Sequence, residues 1–171
     1  IGFGSLYGHG QPMRRLIESG ALRGDRFLQM GLRGYWPGPE TLDWMAEQRM
    51  RSYEMTEIVH RGLSDVLTEA FTIATDECDG VFLSVDIDVC DPGHAPGTGT
   101  PVVGGPNARE ARKLLYGLAG LNIVGADHVE VAPHLDAVGD ITAVTAATLA
   151  IDLAHLLALG RACGGRGNEQ G

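Results

Sequence analysis

The stretch GVFLSVDIDVCDPGHAPGTGTP, Gly80–Pro101, decides the reading of the fold. Its first half is apolar nearly throughout, as a strand buried on both faces of a parallel sheet should be. Its second half is a loop rich in glycine, proline and threonine. Acid is loaded at the junction, as Asp86, Asp88 and Asp91. On a strand, residues i and i+2 share a face. Asp86 and Asp88 are therefore expected to project together from the C-terminal end, which faces the ligand crevice in open parallel sheets. Two partly buried carboxylates side by side repel each other and are poorly solvated, so they need a cation or protons. Oxygen donors suit Mg²⁺ or Mn²⁺. The competing reading is turn chemistry, in which Asp caps backbone amides on leaving a strand. Asp91 is assigned to that second role.

Outward from this stretch, strands and helices alternate. QPMRRLIESG reads as a short helix, RFLQMGLRG as a strand from Phe27 to Leu32, and PGPETLDWMAEQRM as a helix opened by Pro39 and Glu40. SYEM, at 52–55, is a short strand. Val59, Leu63, Val66, Ala70 and Ile73 recur at helical spacing and predict one long amphipathic helix. PNAREARKLLYGLAG is helical, LNIVGADHVEVAP is the next strand, and the last helix covers roughly 141–160. Ala147, Ala150, Ile151, Ala154, Leu157 and Ala158 give that helix a wide apolar face. The alternation predicts an α/β class with a mainly parallel sheet. No internal repeat or linker divides the chain, and 161–171 reads as a flexible, glycine-rich tail.

Composition narrows the function. The chain has 171 residues, and its net charge of −9 arises from 22 acidic against 13 basic residues. No basic stripe exists to neutralise phosphates, which argues against nucleic-acid binding. Such a balance suits a cation or a cationic substrate. Cys78, Cys90 and Cys163 form no C-x-x-C pair and read as free thiols of a reducing, cytoplasmic setting. No apolar run is expected to span a bilayer, so no membrane partner is expected. The acidic stretch is not an EF-hand, because Cys90 stands where an acid belongs. PGTGTPVVGG lacks the Gly-Lys-Ser/Thr ending of a phosphate loop.

SVDIDVCDPGHAPGTGTPVVGG resembles the signature of the ureohydrolases, the family of arginase, agmatinase and guanidinobutyrase. YGHGQP resembles the family's histidine loop, and VGADHVEVAP its glutamate strand. GLRGYWPGPETLDWMAEQRMRSYEMTEI is most similar to bacterial agmatinases. The resemblance implies a three-layer α-β-α fold, with residues 1–160 forming the C-terminal portion of a single domain. It also implies two Mn²⁺ ions, with Asp86 and Asp88 among their ligands and a metal-activated water attacking a guanidinium carbon. Glu130 then pairs with the guanidinium, His9 shuttles a proton to the departing amine, and Thr100 lines the substrate site. Products are urea and an amine, with agmatine the leading substrate and a guanidinobutyrate or arginine substrate as the alternative. Homo-oligomers, trimers or hexamers, are implied as well.

Read without the family, His9 is an ordinary loop histidine, and Glu130 a carboxylate pairing with an arginine. His128, where the family usually has an apolar residue, reads as a packing variant. His134, which flanks Glu130 on the other side, invites a metal reading, whereas His60, His94 and His155 read as structural or surface groups. Arg33, Tyr35 and Trp36, just past a strand end, read equally well as pocket border or scaffold. Two further metal motifs of the family, H-x-G-G-D-H and D-A-H-x-D, occur nowhere in the chain. Together with the start at Ile1 rather than Met, this reads as the C-terminal part of a longer protein that is inactive alone. The alternative of a different class is a non-catalytic remnant serving as an assembly or interaction module.

Overall fold

Proline and asparagine open the helices where backbone amides lack internal partners. In the computed structural model, which describes residues 7, 8 and 10–164, with side chains in the last helix as far as Gly160, α1 is Pro12–Glu18 and α2 is Pro39–Glu47. Each has Pro in its first turn, where the missing N–H goes unused. Helix α5, Ala108–Gly117, begins on a capping box. The Glu110 amide donates to Asn107 Oδ1, and the Asn107 amide to Glu110 Oε2, both at 2.9 Å. The other helices are α3, Met55–Arg61, α4, Leu63–Thr75, and α6, Ile141–Gly164. Strands β1, Leu28–Leu32, and β2, Arg51–Glu54, form one two-stranded sheet. Strands β3, Val81–Asp86, and β4, Ile123–Val129, form another, paired in parallel.

The chain divides into two compact units. The first comprises 1–29 and 35–52. Within it Asp25 accepts a two-pronged hydrogen bond from Arg23, and the Arg14 guanidinium lies 4.6 Å from the centre of the Trp44 ring. Gly24 packs so closely on Gln48 that no side chain fits there. The second comprises 30–34 and 53–171, and holds the β3–β4 pair with α4, α5 and α6. Its core gathers Leu67 of α4, Leu115 of α5, Ile123 of β4 and Leu149, Leu153 and Leu156 of α6 around Ile87 and Cys90. Each such aliphatic side chain contributes roughly 1.5–3 kcal/mol on burial.

Several expectations are corrected. The long helix from Val59 to Ile73 is two helices, because Gly62 takes φ +85° and ψ 143° and breaks the ladder. Strand β3 is not buried on both faces: Phe82 is 57% exposed, and Ser84 is exposed. The strand also ends at Asp86, so Asp88 lies in a 3₁₀ turn, Ile87–Val89, rather than one strand pitch further on. The apolar face predicted for helix α6 is not the side that packs on the core, apart from Leu157. Thr142, Thr145, Ala146, Leu149, Asp152, Leu153 and Leu156 are buried, while Ala147, Ala150, Ile151, Ala154 and Ala158 face outward. By length and composition alone Ile141–Gly160 could cross a membrane, contrary to the expectation that no such run exists. Its inner side is packed against protein, and its Asp152 pairs with Arg112 at 2.7 Å.

Candidate functional site

The candidate site is built on the C-terminal ends of β3 and β4. Ile87, fully buried, pins the turn that follows β3. This brings the Asp88 amide 3.1 Å from Oδ1 of Asp86, which caps the turn. Burial, and then the like charges of Asp88 and Glu130, push the Asp86 carboxyl up to about 6, against the pull of that amide. Asp88 turns its own Oδ2 to the Thr100 hydroxyl, which donates to it at 2.8 Å. At the end of β4, Glu130 takes the left-handed conformation, φ 63°, and is exposed. Its carbonyl accepts from the Thr98 hydroxyl at 3.0 Å. Asp86, Asp88, Thr100 and Glu130 are thus brought to one end of the parallel pair. His9 lies outside the described residues.

The loop between these strands is held from several sides. Asp91 accepts from the amides of Gly93 at 2.9 Å and Gly104 at 2.8 Å, which lower its pKa and close the loop on itself. Turn chemistry, as expected, is its role. The Gly97 amide donates to the fully buried Thr142 hydroxyl of α6 at 2.7 Å, and the Gly97 carbonyl accepts from Ala132 at 2.8 Å. A Cβ on Gly97 would lie 2.9 Å from Asp136 Cβ and 3.0 Å from Thr142 Oγ1, so only glycine fits. Asp136 accepts from the amides of Thr142 and Ala143, in the first turn of α6. Those bonds outweigh the effect of burial and lower its pKa. Arg33 donates to the carbonyls of Asp88, at 2.7 Å, and Val102, at 2.6 Å.

Three of these features escaped the sequence reading. Thr98 stands two residues before the threonine singled out and bonds to Glu130, the residue that follows β4. Asp136 gave a weak signal, an Asp shortly before a helix. The Arg33 bonds to the loop span 55 to 69 residues of chain, and no local pattern announces them. Among the remaining candidates, His60, His94, His134 and His155 are exposed. His128 is half-buried, and burial holds its imidazole below the usual pKa against the opposing charge of Asp127. Tyr35 and Trp36 are exposed.

The donors fit an oxygen-seeking divalent cation in kind, since a carboxylate pushed up to about 6 gains from a cation beside it. They fall short in number. Among the described residues, no group of three or more His, Cys, Asp or Glu side chains is gathered for a metal ion.

The family model described as Arginase family matches residues 3–155. The chain belongs to the arginase family. Among solved structures, proclavaminate amidino hydrolase from Streptomyces clavuligerus superposes with a TM-score of 0.83 at 34% identity, covering 92% of this chain and 52% of that one. The α/β arginase fold is therefore shared. Guanidinopropionase of Pseudomonas aeruginosa is 43% identical over 152 residues, covering 89% of this chain and 47% of the enzyme. Agmatinase of Edwardsiella ictaluri is 37% identical over 155 residues, covering 91% of this chain and 47% of the enzyme. This arginase-family chain spans about half the length of the curated relatives it matches.

Proposed function

We propose that this chain supplies the C-terminal half of an Mn²⁺-dependent ureohydrolase acting on a linear guanidino compound. The observation that carries the reading is the junction of Asp86, Asp88, Thr100 and Glu130 at the ends of two parallel strands of an arginase-family chain. Asp86 and Asp88 would hold Mn²⁺, two ions in the complete site. When bound, such ions lower the pKa of a shared water and so supply hydroxide at neutral pH. The chain's own residues do the rest. The Glu130 carboxylate accepts two parallel N–H bonds from a guanidinium and orients it. The Thr100 hydroxyl fixes which oxygen of Asp88 stays available. His9 carries a proton to the departing amine.

The substrate tail is the open choice. Agmatine is the leading candidate, on likeness to agmatinase. The higher identity to guanidinopropionase gives specific support to a guanidino acid, as does the family alternative of guanidinobutyrate or arginine. A cytoplasmic setting accords with Cys78 and Cys90 as free thiols. Burial pushes the Cys90 thiol up to about 11, well away from reactivity. A homo-oligomer would cover the outward apolar face of α6.

Two carboxylates alone hold Mn²⁺ weakly, so the isolated chain is proposed to release no urea. The test is a urea assay with Mn²⁺ on agmatine, 3-guanidinopropionate, 4-guanidinobutyrate and arginine. The purified chain is compared with a fusion carrying the N-terminal half of guanidinopropionase upstream. Urea from the fusion, abolished by Asp88→Ala, is the expected result. A folded fusion that binds Mn²⁺ but turns over none of the four would favour the non-catalytic module, a reading supported by the shortage of donors.

A further inference from the structure

Arg33 lies just past β1, far in sequence from the acidic loop, yet its guanidinium is spent on that loop. Nη2 donates to the carbonyls of Asp88 at 2.7 Å, Cys90 at 3.2 Å and Val102 at 2.6 Å. Nε donates to Val102 at 2.9 Å, and Nη1 reaches back to Gly31 at 3.1 Å. One planar fork therefore grips both limbs of the loop, the limb that leaves β3 and the limb that returns past Thr100. The packing around it is made to measure. Gly105 sits against Arg33 Nη2 at a distance where a Cβ would come within 2.8 Å, and Gly31 abuts Val89 too closely for any side chain.

We propose that Arg33 is a positioning residue. It sets the spacing between the two limbs, and so holds the Thr100 hydroxyl against the Asp88 carboxylate. Without it, the limbs would still meet where Asp91 accepts the Gly104 amide, but the Asp88 and Val102 carbonyls beside the Thr100–Asp88 pair would lose their shared donor. Lysine cannot replace it, because a single ammonium cannot meet carbonyls on both limbs in one plane while reaching back to Gly31. The proposal rests on reading this loop as the metal and substrate site, but its structural half can be tested separately.

The experiment uses the ¹⁵N-labelled chain as wild type, Arg33→Lys and Arg33→Met. Amide exchange is followed at Asp91, Gly93 and Gly104, whose amides donate within the loop, and at β4 and α6 as a control. Mn²⁺ is then titrated in, and the broadening of the Asp86 and Asp88 signals is recorded. Both variants are expected to keep β4 and α6 protected while the three loop amides exchange about tenfold faster, the scale of one lost hydrogen bond. The Mn²⁺ concentration for half-broadening is expected to rise by a similar factor, more in Met than in Lys. Loop amides that exchange as slowly as wild type in a folded variant would overturn the proposal. So would loss of protection throughout β4 and α6 in both variants, which would make Arg33 a general support. If Mn²⁺ broadens nothing in the wild type, the metal reading above fails, while the exchange comparison still decides the role of Arg33.

Discussion

The Thr100 hydroxyl donates to Oδ2 of Asp88 at 2.8 Å, joining two residues twelve apart on opposite limbs of one loop. The bond occupies one carboxylate oxygen and leaves Oδ1 as the freer donor toward a cation. Thr100→Ala should therefore weaken Mn²⁺ binding by about tenfold to a hundredfold, the range of a single hydrogen bond to a charged group. Thr100→Ser, which keeps the hydroxyl, should stay near wild type. Titration calorimetry on the chain checks this, and equal affinity in all three proteins would remove Thr100 from the site.

Asp86 predicts a pH dependence of stability. Its folded pKa, about 6, lies above the ordinary 3.8, so the folded state favours the protonated form. That preference is fully present below about pH 4 and is lost as pH rises through about 6. Asp25, Asp91 and Asp136 are shifted down and act in the opposite sense, so the comparison must be made against Asp86→Asn. In urea unfolding without metal, wild type should lose stability relative to Asp86→Asn between pH 4 and pH 6. Above pH 7 the two curves should run parallel. A constant difference across the range would show that Asp86 titrates normally.

Thr142 is fully buried and accepts the Gly97 amide. Thr142→Val keeps the shape but leaves that N–H without its acceptor, a loss of about 1–3 kcal/mol. Thr142→Ser should recover most of it. Chemical denaturation of the three proteins reads the difference.

Asp152 is 7% exposed and takes two bonds from Arg112, at 2.7 Å and 3.1 Å. Removing only the arginine strands a buried carboxylate, whereas removing both charges does not. Arg112→Met should lower the unfolding midpoint, and the pair Arg112→Met with Asp152→Leu should restore much of the loss. A double variant no more stable than the single one would show that the pair matters for more than its charge.

How much of this was legible in sequence differs by element. The apolar run into Asp86 announced β3, and the pattern of PNAREARKLLYGLAG announced α5, because each signal is local. The side-by-side carboxylates were inferred for the wrong reason. Strand alternation predicts a shared face through Asp88, but the strand stops at Asp86, and a 3₁₀ turn sets the pair's relation instead. Helix α6 is apolar nearly all round, so hydrophobicity could not orient it. Its inward residues include Thr142, Thr145 and Asp152, whose polar atoms find partners in the loop or on α5. Partners so distant in sequence leave no periodic trace. The same distance hid the bonds from Arg33 to the loop.

Surface loops usually tolerate insertions and deletions, because lengthening a flexible segment is thermodynamically cheap. The loop from Asp91 to Gly104 should behave otherwise. Its ends meet through the Asp91 carboxylate, Gly97 is bound to Thr142, Thr98 to the end of β4, and Val102 to Arg33. Each anchor fixes a count of residues as well as an identity. One residue gained or lost anywhere between them shifts Thr100 out of register with Asp88. Homologous chains that keep this chemistry are therefore expected to vary in the composition of the loop before they vary in its length.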